Sequence, residues 1–225
     1  VYIPAGRNMI TLLATQLNYL YSTMADAQKK SIDFCTRNYL ERILRIRPEF
    51  DKGIQGLIAD NPKEYTNQKK YLKDAIDLTD KILKGSYRYD NGDEKLEIDS
   101  KHYVKINFTS SGQQEAVWIL NLLFYHLIHG QPTFFIIEEP ESHLFPEAQR
   151  YIAEFISLVC KAGNSALVTT HSPYILGSFN NLLYAGELPS DCQKEAENII
   201  SKEYWIESNT LFAWFVQNGG IKNGS

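Results

Sequence analysis

The feature that most limits the fold is a pair of short apolar runs, each ending in polar side chains. Residues 133–137 carry no charge and lead directly into Glu138-Glu139-Pro140-Glu141. Residues 166–169 are also apolar in character and lead into Thr170-His171-Ser172-Pro173. Between them, residues 146–160 show helical apolar spacing, and Pro146 suits a first helical turn. Strand, crossover helix and strand make a βαβ unit, which sets two parallel strands with their carboxyl ends side by side. A run this free of charge suits a central strand of a parallel sheet. Ligands of open α/β sheets bind outside the carboxyl ends of the strands, so the two polar tips mark a candidate site.

The remainder of the chain reads as helices around that unit, with a small antiparallel element. Residues 1–3 are expected to end a strand before Pro4 and Gly6. Residues 9–24 and 25–46 have helical spacing, and Arg47-Pro48 is expected to end the second stretch. That stretch is locally basic (Lys29, Lys30, Arg37, Arg42, Arg45, Arg47), for which a solvated face is preferred over a nucleic-acid contact. Residues 64–84 read as a charged, solvated helix. Alternating runs at 86–89 and 95–98 flank Asp90-Asn91-Gly92-Asp93, a strong hairpin signal, and residues 102–108 are expected to add a third strand. Residues 111–129 form a helix apolar nearly all round, hence buried. Beyond the βαβ unit a short helix is expected to begin at 173–176 and a last strand to lie at 181–184. A docking helix is expected at 203–216, followed by a frayed tail.

Three segments carry chemistry. Thr109-Ser110-Ser111-Gly112-Gln113 precedes the buried helix. Ser111-x-x-Gln114 is a fair capping box, and the exposed N–H groups of such a helix start also favour an anion; a plain cap and an anion site weigh equally. Glu138 and Glu139 end a buried strand, where adjacent carboxylates are costly unless a cation or a reaction uses them. Mg²⁺ takes one or two carboxylates plus phosphate oxygens, and strand alternation lets one glutamate approach a metal while its neighbour reaches a water. A solvated acidic strand end is the less favoured alternative. His171 alone would be an ordinary hydrogen-bonding group, but it ends the strand next to the glutamates.

In this order and spacing the segments resemble the last three motifs of ABC-type ATPases. Ser110-Ser111-Gly112-Gln113 resembles the signature motif, residues 134–139 the Walker B strand with its following glutamate, Glu141-Ser142-His143-Leu144 the D-loop, and His171 the switch histidine. The wording Ile-Glu-Glu-Pro-Glu-Ser-His-Leu-Phe-Pro-Glu-Ala-Gln, with the opening Tyr-Ile-Pro-Ala-Gly-Arg, is similar to AAA-family prokaryotic ATPases of the SMC, RecF and OLD (overcoming-lysogenization-defect) groups. The resemblance implies an α/β P-loop NTPase fold: parallel strands with flanking helices, a helical subdomain and a small hairpin, corresponding to the C-terminal, signature-bearing lobe. It divides the chain into a helical region with a charged insertion and a hairpin at 1–107, a motif core at 108–186 and a helical extension at 187–225.

The resemblance also implies roles and ligands. Glu138 would position Mg²⁺, Glu139 would polarise the attacking water, and His171 would sense the γ-phosphate of ATP. Ser110, Ser111, Gly112 and Gln113 would act in trans on ATP held by a second copy, with Ser142 and His143 in the D-loop between them. A homodimer closed by an ATP sandwich follows, with a nucleic acid or a nuclease left open as a further partner. The sequence departs from the family pattern at Glu138, where Asp is usual, at Thr109 and at Ser111. No glycine is followed by lysine, so the phosphate-binding loop G-x-x-x-x-G-K-[ST] is not present. The loop is expected upstream of Val1, and the chain alone is expected to bind nucleotide weakly. The Q-loop glutamine is not located by pattern; Gln16 is a guess.

Composition narrows the alternatives. The net charge of −4 does not indicate a globally basic nucleic-acid binder. The three cysteines, Cys35, Cys160 and Cys192, form no C-x-x-C pair, which argues for idle thiols and a cytoplasmic setting. The most apolar stretch, 116–128, is interrupted by Asn121 and His126 and falls short of the ~20 residues a bilayer needs. Two other classes compete with the ATPase: a metal-dependent nuclease built on Glu138, Glu139, Glu141 and His143, and a non-catalytic interaction module.

Overall fold

The computed structural model describes residues 1–12, 19 and 21–224. Its centre is a parallel sheet in the order β1 (Tyr2–Ile3), β5 (Phe134–Glu138), β6 (Ser165–Thr169). Register pairs Ile3 with Ile137 and Ile137 with Val168, so these side chains line one face, together with Phe135 and Ala166. That face packs into the main core, where Ile3, Phe135 and Ile137 are fully buried. The expected strands at 1–3, 133–137 and 166–169 are thus present, and the charge-free one is central.

The opposite face carries Tyr2, Phe134, Ile136, Glu138, Leu167 and Thr169. It is much less covered among the described residues: Phe134 is 55% exposed and Leu167 42%. The strand read as central therefore buries only one of its two faces here. Glu138 shares the more open one, which keeps its carboxylate near solvent.

Two helices build the covered side. Here α1 denotes Arg7–Leu12, α2 Asp26–Ser31, α3 Phe34–Ile46, α4 Gly53–Asp60 and α5 Pro62–Leu83. Helix α6 (Ser111–His129) is buried nearly all round, as its sequence requires. Helix α7 (Pro146–Lys161) starts on Pro146 and crosses between β5 and β6. Trp118 of α6 stands edge-on to Tyr87 and Phe50, with ring centroids 5.6 and 6.5 Å away. This aromatic cluster joins α6 to the hairpin β2 (Ser86–Asp90) and β3 (Asp93–Glu97), which β4 (Tyr103–Lys105) extends. The hairpin turn has φ of +50° at Asn91 and +90° at Gly92, the left-handed geometry that makes Asn-Gly a tight-turn signal.

Several expected elements differ. The stretch 25–46 is two helices, because Asp33 caps a new start by accepting from the Cys35 and Thr36 amides. The third strand stops at Lys105, and Ile106–Phe108 turns as a 3-10 helix. Residues 181–184 are not a strand: α8 (Pro173–Glu187) runs through them, burying Ile175, Ser178, Leu182 and Ala185 at helical spacing. Residues 203–216 are not a helix. After α9 (Ser190–Glu197) and a 3-10 turn at Lys202–Tyr204, the chain forms the hairpin β7 (Trp214–Gln217) and β8 (Gly220–Asn223). The tail read as frayed is half of that hairpin, turned on Asn218 and Gly219, whose φ angles are +51° and +74°. The helix expected over 9–24 is present at Arg7–Leu12, while residues 13–18, including Gln16, lie outside the described residues. No helix among the described residues is long and apolar enough to cross a membrane.

Candidate functional site

The site forms where β5 and β6 end. Glu138 is the last residue of β5, paired with Thr169. Its Oε2 accepts the Ala5 amide at 3.2 Å, and the Tyr2 hydroxyl lies near the same carboxylate. Burial first, then Glu138, pushes the Tyr2 hydroxyl up to about 12, so it stays a donor. Glu139 follows; its amide extends the ladder by donating to the Thr169 carbonyl at 2.8 Å. The chain then turns sharply, with Glu139 at φ +43° and His143 at φ +60°. A non-glycine residue in that region is strained by ~1–2 kcal/mol and persists only where its surroundings hold it.

The turn after β5 is held from within. The Ser142 hydroxyl donates to Glu139 Oε2 at 3.2 Å and the Ser142 amide to the Glu139 carbonyl at 3.1 Å. Glu141 reaches across to the neighbouring strand, where its Oε1 accepts the Thr170 hydroxyl at 2.6 Å and the His171 amide at 3.0 Å. Its Oε2 is buried with no hydrogen-bond partner. Glu141 thereby fixes the segment that carries His171. The His171 ring is 92% exposed, and its Nε2 stands 4.0 Å from Glu139 Oε1.

The signature-like segment sits beside this turn. Ser110 is the N-cap of α6: it accepts from the Gln113 amide, and Gln113 Oε1 accepts the Ser110 amide at 3.0 Å. The capping box is therefore Ser110-x-x-Gln113, one residue earlier than the expected Ser111-x-x-Gln114. Gln114 instead binds the Ile106 and Thr109 carbonyls, and Gln113 Nε2 donates to the Leu83 carbonyl at the end of α5. Gly112 is buried against the D-loop-like turn: a Cβ there would come 2.6 Å from the His143 carbonyl oxygen. Ser110 and Ser111 remain exposed.

The structure thus brings Glu138, Glu139, Ser142, His143, His171 and Gly112 to one end of the sheet, with Ser110, Ser111 and Gln113 on its rim. Two residues that the site reading overlooked lie underneath it. Arg7 and Glu115 are both completely buried, with Arg7 Nε 3.3 Å from Glu115 Oε2. The signals were present in Gly-Arg of the opening motif and in Glu115 directly after Gln114. They lie 108 positions apart, so no local pattern joins them.

The arrangement bears on metal binding. Glu138 offers hard oxygens on the open sheet face, with Glu139 next to it. Among the described residues no three His, Cys, Asp or Glu side chains gather as a metal cage. One or two carboxylates completed by phosphate oxygens and water is how Mg²⁺ is commonly held, and Glu138 fits that pattern. A two-metal nuclease fits poorly. Glu138 turns to Ala5, Glu139 to Ser142, Glu141 to Thr170, and His143 Nδ1 toward Glu115 Oε1 at 3.9 Å, so the four donors diverge.

A parallel sheet flanked by helices, with carboxylates and a histidine at its strand ends and a helix start beside them, is the P-loop NTPase-like α/β architecture. Residues 3–176 match the family model of the AAA ATPase domain, and the chain belongs to that family. It is an ATPase domain in that general sense. No curated protein matches the chain.

Proposed function

We propose that the chain is the signature-bearing part of an ABC-type, SMC/RecF/OLD-like ATPase whose two copies close on ATP. The observation that carries this reading is one cluster: Glu139 with His171 at 4.0 Å, set beside a signature-like helix start whose Gly112 lies against the same turn. Glu139 accepts a proton from, or orients, the attacking water; its reach to Ser142 leaves Oε1 facing His171. His171, almost wholly exposed, extends to the γ-phosphate. Glu138 would hold Mg²⁺, which supplies charge neutralisation for the phosphate oxygens.

Ser110 and Ser111, exposed at the start of α6, face outward and serve ATP held by a second copy, with Ser142 and His143 between the two sites. The phosphate-binding loop comes from polypeptide outside these residues, because no Gly-Lys pair exists in the sequence. The proposed division sets a motif core at 108–186 between a mainly helical region at 1–107, which also supplies β1, and an extension at 187–225 that ends in a hairpin. The work driven is on DNA or in phage defence, in the cytoplasm, with a nucleic acid or nuclease as partner.

Glu139→Gln in the full-length protein is the decisive change. ATP hydrolysis is expected to fall by about 100-fold or more while an ATP-bound dimer accumulates on size-exclusion chromatography. Unchanged hydrolysis, or no ATP-dependent dimer, overturns the reading and favours a non-catalytic module.

A further inference from the structure

Beneath the site, one guanidinium joins the loop after β1, the end of β5 with the turn that follows, and α6. Arg7 Nη1 donates to the Glu138 carbonyl at 2.7 Å and Nη2 to the Glu139 carbonyl at 2.9 Å. Nη1 also reaches the Pro4 carbonyl. Nε donates to the Glu115 carbonyl at 3.2 Å and pairs with its carboxylate. Glu115 in turn accepts the Arg7 amide through Oε2 and the Asn8 amide through Oε1, both at 3.1 Å, and its Oε1 stands 3.9 Å from His143 Nδ1. Neither side chain reaches solvent. The planar five-donor fork is what permits these simultaneous contacts, and lysine has no equivalent.

The two carbonyls held belong to the residue at the end of β5 and to the left-handed residue that follows. The φ of +43° at Glu139 persists only where its surroundings hold it, and Arg7 Nη2 and the Ser142 amide both hold its carbonyl. Glu115 lies in the second turn of α6, whose first residues form the signature-like segment. Any tilt of the α6 start therefore pulls on Glu115, then Arg7, then the peptide that carries the Glu139 carboxylate.

We propose that Arg7 and Glu115 are positioning residues that couple the signature-bearing start of α6 to the Glu139 turn. A partner's ATP engaging Ser110 and Ser111 thereby sets the geometry of this copy's own water-polarising carboxylate. The proposal rests on the ATPase reading for its kinetic arm but not for its structural arm.

The test uses Arg7→Lys and Glu115→Gln. In the full-length protein, Arg7→Lys is expected to lower kcat by about tenfold or more, since small displacements of a reacting group are costly. The Kd for ATP should stay within about twofold, the pattern of a lost transition-state interaction. Glu115→Gln, which leaves the carbonyl contacts in place, is expected to fall less. In parallel, amide exchange at Ser142 and Leu144, whose N–H groups bind the Glu139 and Glu141 carbonyls, should accelerate in both variants. Wild-type kcat in Arg7→Lys overturns the coupling. If Arg7→Lys does not fold, unchanged exchange at those amides in Glu115→Gln overturns it instead. If the wild-type protein hydrolyses no ATP, the ATPase reading fails and the exchange arm still decides the coupling.

Discussion

Two buried arginine–glutamate pairs flank the same long helix, and they do different things. Arg7 meets Glu115 beneath the strand ends, while Arg47 meets Glu94 at 3.4 Å in the aromatic core behind the hairpin. Around Glu94 the partners are side chains: the Tyr87 hydroxyl at 2.7 Å and the Trp118 indole N–H at 3.0 Å, with the Tyr89 ring under the Arg47 guanidinium at 4.8 Å. Around Arg7 they are mostly backbone carbonyls of the site. Burial raises the Glu94 carboxyl despite these donors and Arg47, so desolvation outweighs the partners and disfavours the charged form. One pair locks a scaffold. The other holds the shape of the turn after β5. A buried ion pair is weak evidence of stability in itself, so what the partners are decides its meaning.

The largest expected effect sharpens that contrast. Glu94→Ala leaves Arg47 without its buried counter-charge and removes the acceptor for Tyr87 and Trp118. It should destabilise by about 3–5 kcal/mol in urea or thermal melts. In the full-length protein, molecules that remain folded should keep the wild-type kcat. A loss of kcat at full folding would erase the distinction between the two pairs.

Gly112→Ala probes the other side. A Cβ 2.6 Å from the His143 carbonyl must push the turn, an overpacking penalty of about 1–3 kcal/mol. Helix propensity returns ~1 kcal/mol. Stability should hence fall by no more than about 2 kcal/mol, while ATP turnover in the full-length protein should fall by about tenfold. Wild-type turnover would show that the contact between helix start and turn has no part in the chemistry.

The smallest effect lies at the amino end of the sheet. His126 donates to or accepts from the Thr133 hydroxyl at 3.1 Å and stands edge-on to Phe135. Burial first, then Arg42, His129 and Arg45 among its neighbours, pushes its imidazole down to about 4. Its folded value lies below the unfolded one, so the unfolded chain takes the proton first. Stability should fall as pH drops from about 6.5 to about 4, by on the order of 1–2 kcal/mol once its partial exposure is allowed for. Melting curves across that range should show the slope, and His126→Leu should flatten it.

How much of this could be read in the sequence follows from the range of each interaction. Strands β5 and β6, the helices beside them and the Asn91-Gly92 hairpin are local patterns with strong punctuation, and they were legible. So was the placement of Glu138, Glu139 and His171 at the strand ends, because a polar tip on an apolar strand is a local signal. Residues 181–184 misled because four residues cannot separate a strand from the inside of a helix; the spacing of Ile175, Ser178, Leu182 and Ala185 settles it only over the whole element. The second hairpin was announced by Asn218-Gly219, the same signal as Asn91-Gly92, but the aromatic run before it was read as a helix face. Arg7 with Glu115 was out of reach, since it joins two segments through a fold that must first exist.

The left-handed backbone at Glu139 has a further consequence for any survey of variants at that position. The turn admits only residues that tolerate a positive φ, with glycine, asparagine and aspartate the most comfortable. Valine, isoleucine and threonine should be rejected there by conformation alone, whatever their effect on chemistry. A deep mutational scan would thus see two superimposed filters at one codon. Asparagine, which satisfies the backbone but lacks the carboxylate, is the substitution that separates them.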